Sequence, residues 1–208
     1  DCSYISQIKA FKDNVSIKSC LSYTFSVSNS QGTSLIKDRP FTAEMTRSIM
    51  LLKEKPYRPR MADYRIGVFF TGREQLGEGA KTTVPVYYAN RWDIQPSDTA
   101  AYLRGEKVKP TKQIVFYIDN TFPEKWKPYL REGVTQWNEL FEQIGFKDVV
   151  AAKDFPTDDP EFDPDNIKYS CVRYAPSSIE NAMGPSWGDP RSGEILNASV
   201  YLYHNVIK

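Results

Sequence analysis

Histidine is almost missing. The 208 residues hold one imidazole, His204, so a two-His or three-His metal site cannot be assembled from them, and one general base of that kind is all there is. Cysteine is scarce as well. Cys2, Cys20 and Cys171 are scattered and contain no CxxC pair, which excludes a disulfide framework and dithiol redox chemistry. No run approaches the roughly 18 apolar residues of a membrane span. Charge of one sign is missing too: 27 Lys+Arg against 26 Asp+Glu leave +1, so nothing in the net charge suggests a phosphate-tracking surface for nucleic acid or a polybasic membrane patch. Asp1-Cys2-Ser3-Tyr4 has neither the basic start nor the apolar run of a signal peptide, and there is no initiator Met, so a processed or excised piece is expected. What is present is 40% hydrophobic, 25% charged and 13% aromatic, a globular composition sufficient for one large domain or two small ones.

The first part alternates with period two. Tyr4 to Phe11 and Val15 to Val27 predict an antiparallel hairpin turning at Asp13-Asn14, Ser28 to Asp38 a polar loop, and Phe41 to Lys53 a third strand. With a two-residue turn there, facing positions add to about 27, which puts Cys20 near Gln7 and away from Cys2, so free thiols are expected. Asn14-Val15-Ser16 and Asn197-Ala198-Ser199 match the glycan acceptor pattern but are too short to carry weight. Pro56 and Pro59 make an extended connector around Arg58, Arg60 and Arg65, either solvated or anchored by salt bridges. Gly72 to Thr83 reads as a loop, Val84 to Trp92 as a Tyr-rich strand, and Gln95 to Pro110 as polar and turn-like.

The strongest local signal begins at Lys112. Gln113 to Asp119 is a continuous apolar strand of the sort covered on both faces. One long amphipathic helix follows. Thr121 and Glu124 have capping-box spacing, Pro123 and Pro128 sit near its start, and Gly145 ends it. Trp126, Leu130, Val134, Trp137, Leu140, Phe141 and Ile144 form its apolar stripe. Phe146 to Ala152, Ile167 to Tyr174, Gly184 to Trp187 and Ile195 to His204 read as strands, with tight turns at Ser177 to Met183 and Asp189 to Gly193. The acidic run from Asp154 to Asp165 has three prolines and lacks the EF-hand glycine, so a solvated loop is expected rather than a calcium site. The predicted fold class is α+β: an N-terminal antiparallel β-rich region with its connector over residues 1–110, then a mixed sheet with one long helix packed on it over residues 111–208.

Several ordered motifs carry a family resemblance: Gln113-Ile-Val-Phe-Tyr-Ile-Asp119, Phe122-Pro-Glu-Lys-Trp126, Gly133-Val-Thr-Gln-Trp-Asn138, Phe141-Glu-Gln-Ile-Gly-Phe146, Ala182-Met-Gly-Pro-Ser186, Asp189-Pro-Arg-Ser-Gly-Glu-Ile195 and Tyr203-His-Asn205. They resemble the large bacterial secreted zinc-dependent metalloproteases of the metzincin type. Leu51-Leu-Lys-Glu-Lys-Pro56, Tyr57-Arg-Pro-Arg-Met-Ala-Asp63 and Gly67-Val-Phe69 extend the likeness into the first half. The resemblance implies the upper part of a catalytic domain, an extracytoplasmic location, and a zinc helix with HExxHxxGxxH that would follow Tyr203-His204-Asn205. That motif is not in these 208 residues, so no catalytic or metal residue is carried over, no cofactor is expected in this chain, and zinc belongs to a full-length parent.

One functional element of the family is expected here. In metzincins an edge strand above the zinc pairs with extended substrate, and the matching segment is Asn181, Ala182, Met183, Gly184, Pro185, Ser186 and Trp187. Gly184 permits close approach, whereas Pro185 removes a donor. His204, between aromatic residues, reads as packing rather than as a ligand. The expected partner is a peptide or protein substrate of the parent, with no nucleic acid and no membrane span. A sheet ending before its zinc helix would also leave one face of the 113–119 strand bare, open to a dimer partner. The alternative is a self-contained peptide- or glycan-binding module using Tyr87, Tyr88, Trp92 and Trp187. A Ser or Cys hydrolase built on His204 has no GxSxG elbow to support it.

Overall fold

The computed structural model describes residues 2–77, 79 and 82–206. The protein is α+β, mostly strand, with antiparallel sheets and one mixed sheet. It divides into two units, Asp1–Leu51 with Asp165–Ile167, and Leu52–Pro164 with Lys168–Lys208. Residues 52–110, grouped with the N-terminal region on sequence, thus share a unit with the second half. They belong there because Ala101 and Val108 pack into one cluster with Ile114, Phe146, Val149 and Val150.

The first unit is an antiparallel sheet of β1 (Tyr4–Ala10), β2 (Asn14–Ser28) and β3 (Ser34–Met50), in that order. Its pairing sets Ile8 opposite Ile17, Val15 opposite Ile49 and Tyr23 opposite Phe41, so the apolar positions share one face. Tyr23 stacks on Phe41 at 5.4 Å, and Phe25 meets the same ring edge-on. The first turn is Lys12-Asp13 rather than Asp13-Asn14, because Phe11 N–H donates to the Asn14 carbonyl, and a bulge between Ile5 and Gln7 shifts the register again. Cys20 therefore faces Tyr4, not Gln7. All three cysteines are free. The 28–38 loop shrinks to a tight turn in which the Asn29 side chain accepts from Gln31 N–H and Thr33 N–H. Asp165 and Asn166 clip onto this sheet through Lys9 (2.9 Å) and Asn14 (2.8 Å).

In the second unit β4 (Phe70–Gln75) pairs with β5 (Val84–Ala89). The loop predicted over 72–83 is correspondingly shorter, and its residues 78, 80 and 81 lie outside the described residues. A short helix, α1 (Thr99–Leu103), stands where a polar turn was predicted; Asp98 caps it by accepting from Ala101 N–H. The five-stranded sheet is built from β6 (Ile114–Ile118), β7 (Val150–Asp154), β8 (Ser170–Ala175), β9 (Ala182–Met183) and β12 (Val200–Tyr203). Its order is β7-β6-β8-β12-β9; the first four strands are parallel and β9 is antiparallel. Parallel neighbours need a crossover, and the helical segment between β6 and β7 supplies it.

That segment is not one long helix. A 3-10 turn at Glu124–Trp126 leads to α2 (Lys127–Thr135) and then α3 (Trp137–Gln143), with the break at Gln136. Thr135 causes a local competition there, its hydroxyl donating to the Arg131 carbonyl at 2.9 Å. The Thr121–Glu124 capping box does not form: Thr121 N–H and Oγ1 both turn back to Asp119, while Glu124 takes Lys127. Gly145 ends the segment at φ 86°, where a Cβ would lie 2.9 Å from the Tyr102 ring. Trp126, Leu130, Val134 and Phe141 pack on the sheet. Trp137, Leu140 and Ile144 are exposed, because Asn138 occupies the inward position between Val134 and Phe141.

The β6 strand is not bare on its second face. Tyr117 packs on Phe162 at 5.1 Å and on Tyr169 at 5.4 Å, and Phe155 joins Phe162. The acidic loop supplies these rings, so burying its two phenylalanines covers the face expected to seek a dimer partner.

Candidate functional site

The two borders of the five-stranded sheet are treated differently. At β7, the Asn138 amide donates to the Val150 carbonyl (2.9 Å) and accepts from Val150 N–H (2.8 Å). One side chain thus copies the bonding of a neighbouring strand and blocks that edge. At the other border no further strand among the described residues pairs with β9, which ends the strand order.

The open border is longer than β9 alone. Ala182 faces Leu202 and Met183 faces Tyr201; farther on, β10 (Ser186–Gly188) pairs with β11 (Ile195–Ala198), Ser186 facing Ala198 and Trp187 facing Asn197. The register is constant throughout, so residues 182–187 form one antiparallel strand against 197–202. Tyr203 N–H donates to the Asn181 carbonyl at 3.3 Å, and Ser199 N–H to the Pro185 carbonyl at 3.1 Å. Odd-numbered residues therefore bond inward, and alternation directs the backbone groups of Ala182, Gly184 and Ser186 outward. Ala182 N–H is taken by the Asn181 side chain at 2.8 Å. No third strand among the described residues bonds to Gly184 or Ser186.

Pro185 now has a clear position. Its missing N–H falls on an inward-bonding residue, so the outward donors of Gly184 and Ser186 are kept. A Cβ at Gly184 would meet nothing within 4 Å, which leaves the backbone there open to approach. Asn181 to Gly184, Ser186 and Trp187 are exposed and Pro185 is half-buried. All seven residues singled out on sequence thus lie on this border.

The ribbon is held from its turn. Asp189, 1% exposed, accepts from Arg191 N–H at 2.8 Å and takes the Arg191 guanidinium on both oxygens. The Asp189 carbonyl also receives Ser192 N–H and Gly193 N–H. The Arg191 guanidinium holds the Asp189 carboxyl below the usual carboxylate range, against the opposing effect of burial. Gly193, at φ 72°, lets the turn close under Ala89, whose carbonyl oxygen would be 2.6 Å from a Cβ. Arg91 N–H then donates to the Gly193 carbonyl and Ile195 N–H to the Arg91 carbonyl.

His204 packs against Trp126 at 5.6 Å, and its Nδ1 lies 2.6 Å from the Tyr174 hydroxyl. It borders an open cavity of about 410 Å³ with Tyr174, Ser177 and Asn205. Among the described residues there is no group of three or more His, Cys, Asp or Glu side chains able to hold a metal. A lone imidazole committed to a tyrosine does not fit zinc, and no step through that ion is derived from these residues. No helix among the described residues is long and apolar enough to cross a membrane.

The four aromatics of the binding-module alternative separate. Trp92 packs into the core against Phe116, Tyr88 is half-buried, Trp187 lies on the open strand, and Tyr87 lines an apolar cavity of about 420 Å³ with Tyr64, Ile66 and Phe70. Asn138 was not anticipated as an edge block; its signal was a polar residue at the spacing of an apolar stripe. Asn14 and Asn197, in the glycan-like triplets, are buried.

A family model described as a domain of unknown function (DUF5117) matches residues 1–97. No curated protein and no solved structure matches the chain.

Proposed function

We propose that this chain is the non-catalytic part of a secreted, extracytoplasmic zinc-dependent metallopeptidase of the metzincin type, and that Asn181–Trp187 takes an extended peptide by strand addition. One observation carries the reading: the segment that the family resemblance assigns to substrate pairing is also the unblocked border of the sheet, with the Gly184 and Ser186 donors directed outward. Backbone bonds would give affinity there, and the exposed Met183 and Trp187 side chains would bias sequence. The peptide-bond chemistry needs HExxH residues that are not in this sequence. The self-contained binding module shares the strand and dispenses with zinc.

A labelled extended heptapeptide, titrated into the 208-residue chain, tests the strand. The expected result is saturable binding that weakens about tenfold when the peptide is N-methylated at alternate residues, and about fivefold in Ser186→Pro, as loss of backbone bonds requires. Equal binding of the methylated peptide overturns strand addition. Reading the gene in frame beyond the codon for Lys208 separates the remaining readings: HExxHxxGxxH supports the peptidase, and a stop codon favours the binding module.

A further inference from the structure

The connector between Lys55 and Arg65 leaves a feature that the peptide reading does not use. Pro56 and Pro59 keep it extended, and its backbone is tied to β5: Ala89 N–H donates to the Arg60 carbonyl at 2.9 Å, and Met61 bridges to Tyr88. Arg91 reaches across it. Nη1 donates to the Tyr57 hydroxyl at 2.9 Å, Nη2 donates to the Arg58 carbonyl, and the guanidinium centre lies 4.3 Å over the Tyr57 ring. These contacts border an open cavity of about 410 Å³ lined by Tyr57, Arg58, Pro59, Arg60, Arg91 and Gln95.

Three arginines are among the residues lining this cavity and no Asp or Glu is. Elsewhere in the chain arginines find acids readily, as in Arg65 with Asp63, Arg131 with Asp154 and Arg191 with Asp189. Arg58, Arg60 and Arg91 form no ion pair among the described residues, so the anchoring salt bridges considered for this connector are not what holds it. Asp93 is close in sequence, yet it accepts from Gln95 at 3.0 Å and faces Lys53 at 3.7 Å. Glu194 is likewise engaged with Lys53 at 2.7 Å. Arg91 Nε is buried with no acceptor among the described residues. Arg91 therefore contributes a fixed positive charge to this cavity rather than a free donor.

We infer that this cavity binds a tetrahedral oxyanion, a phosphate or sulfate group, free or as an ester. Guanidinium forks bind such oxygens in pairs, and the two uncommitted forks of Arg58 and Arg60, with the fixed positive charge of Arg91 beside them, suit an acceptor with three or more oxygens and more than one charge better than they suit a planar monocarboxylate. Arg91 is already immobilised by Tyr57 and the Arg58 carbonyl, so little further ordering accompanies binding at that position. The volume lies in the range of small-ligand sites and leaves room for the group that carries the anion.

Calorimetric titration of the 208-residue chain with potassium phosphate, potassium sulfate, glucose 6-phosphate and potassium acetate, at constant ionic strength, tests this. The expected result is saturable binding of phosphate or sulfate at least tenfold tighter than acetate. The double variant R58Q/R60Q should weaken it at least tenfold, with an unchanged melting temperature, because both side chains are exposed and unpaired. Tighter binding of glucose 6-phosphate than of inorganic phosphate identifies an ester as the ligand, and the reverse identifies the free ion. No saturable heat with any tetrahedral anion, or undiminished binding in R58Q/R60Q, overturns the proposal.

Discussion

The N-terminal sheet and the five-stranded sheet use the same residue types in opposite ways. Every buried hydrophobic side chain among the described residues lies at or beyond Ala89, whereas within 2–51 the buried side chains are the polar Asn14, Ser16 and Ser19. Ile8 is 60% exposed and Ile49 62%, although strand alternation collects them on one apolar face; Ile118, on β6, is fully buried. The difference lies in what covers each face. Trp126, Leu130 and Val134 from the crossover lie over β6, and among the described residues the unit of the β1-β2-β3 sheet contains no helix to play that part. An apolar face is therefore evidence of core only where a second layer is present.

The largest effect expected is on that contrast itself. Ile118→Ala should cost about 3 kcal/mol, from lost burial plus an uncollapsed cavity, whereas Ile8→Ala should cost less than about 0.5 kcal/mol. Urea unfolding of the two variants measures both, and equal costs would show that the N-terminal face is as well covered as the core.

A smaller effect concerns the turn that holds the open strand. Asp189→Asn should cost about 2 kcal/mol through the loss of charge-assisted bonds to Arg191. The folded-state pKa of Asp189 is lowered, so its stabilisation is present above the unfolded carboxylate value of about 3.9 and is lost as pH falls through the lower folded value. The gap between wild type and variant, followed by chemical denaturation from pH 7 down to pH 3, should narrow only below about pH 4. A gap that stays constant into strong acid would remove the carboxylate from the account.

The mildest comparison is chemical and leaves stability untouched. Burial pushes the Cys171 thiol up to about 12, and the residue is 1% exposed, while Cys2 is exposed. Thiol labelling at pH 8 should modify Cys2 at once and Cys171 only after unfolding, with mass spectrometry assigning the sites. Prompt labelling of Cys171 would mean that β8 opens far more readily than its packing implies.

Much of the second sheet was legible because its signals are short-range. A run such as Ile114 to Ile118 is apolar on both faces only when both are covered, and Asp189-Pro-Arg-Ser-Gly193 is a turn wherever it is placed. The helical segment was legible in position but not in continuity: the stripe counts Trp137, Leu140 and Ile144 as inward, while the break at Gln136 and the inward Asn138 depend on Val150, twelve residues away. Helix α1 was missed because five residues show no periodicity, and only Asp98 and Gly105 mark its ends. Cys20 was misplaced because a one-residue change of turn and one bulge move every partner on the strand.

The sequence alone determined where most strands and the helical crossover of the second half fall, and that one histidine cannot build a multi-histidine metal site, while the family resemblance singled out the segment Asn181–Trp187. The first two follow from composition and local alternation, which need no knowledge of neighbours. Only the tertiary structure decided that this segment is the open border while β7 is blocked, that Pro185 spares the outward donors, and that Arg58, Arg60 and Arg91 share one cavity. Each of these depends on which distant residues meet, and strand order, register and side-chain convergence are properties of contacts rather than of sequence spacing.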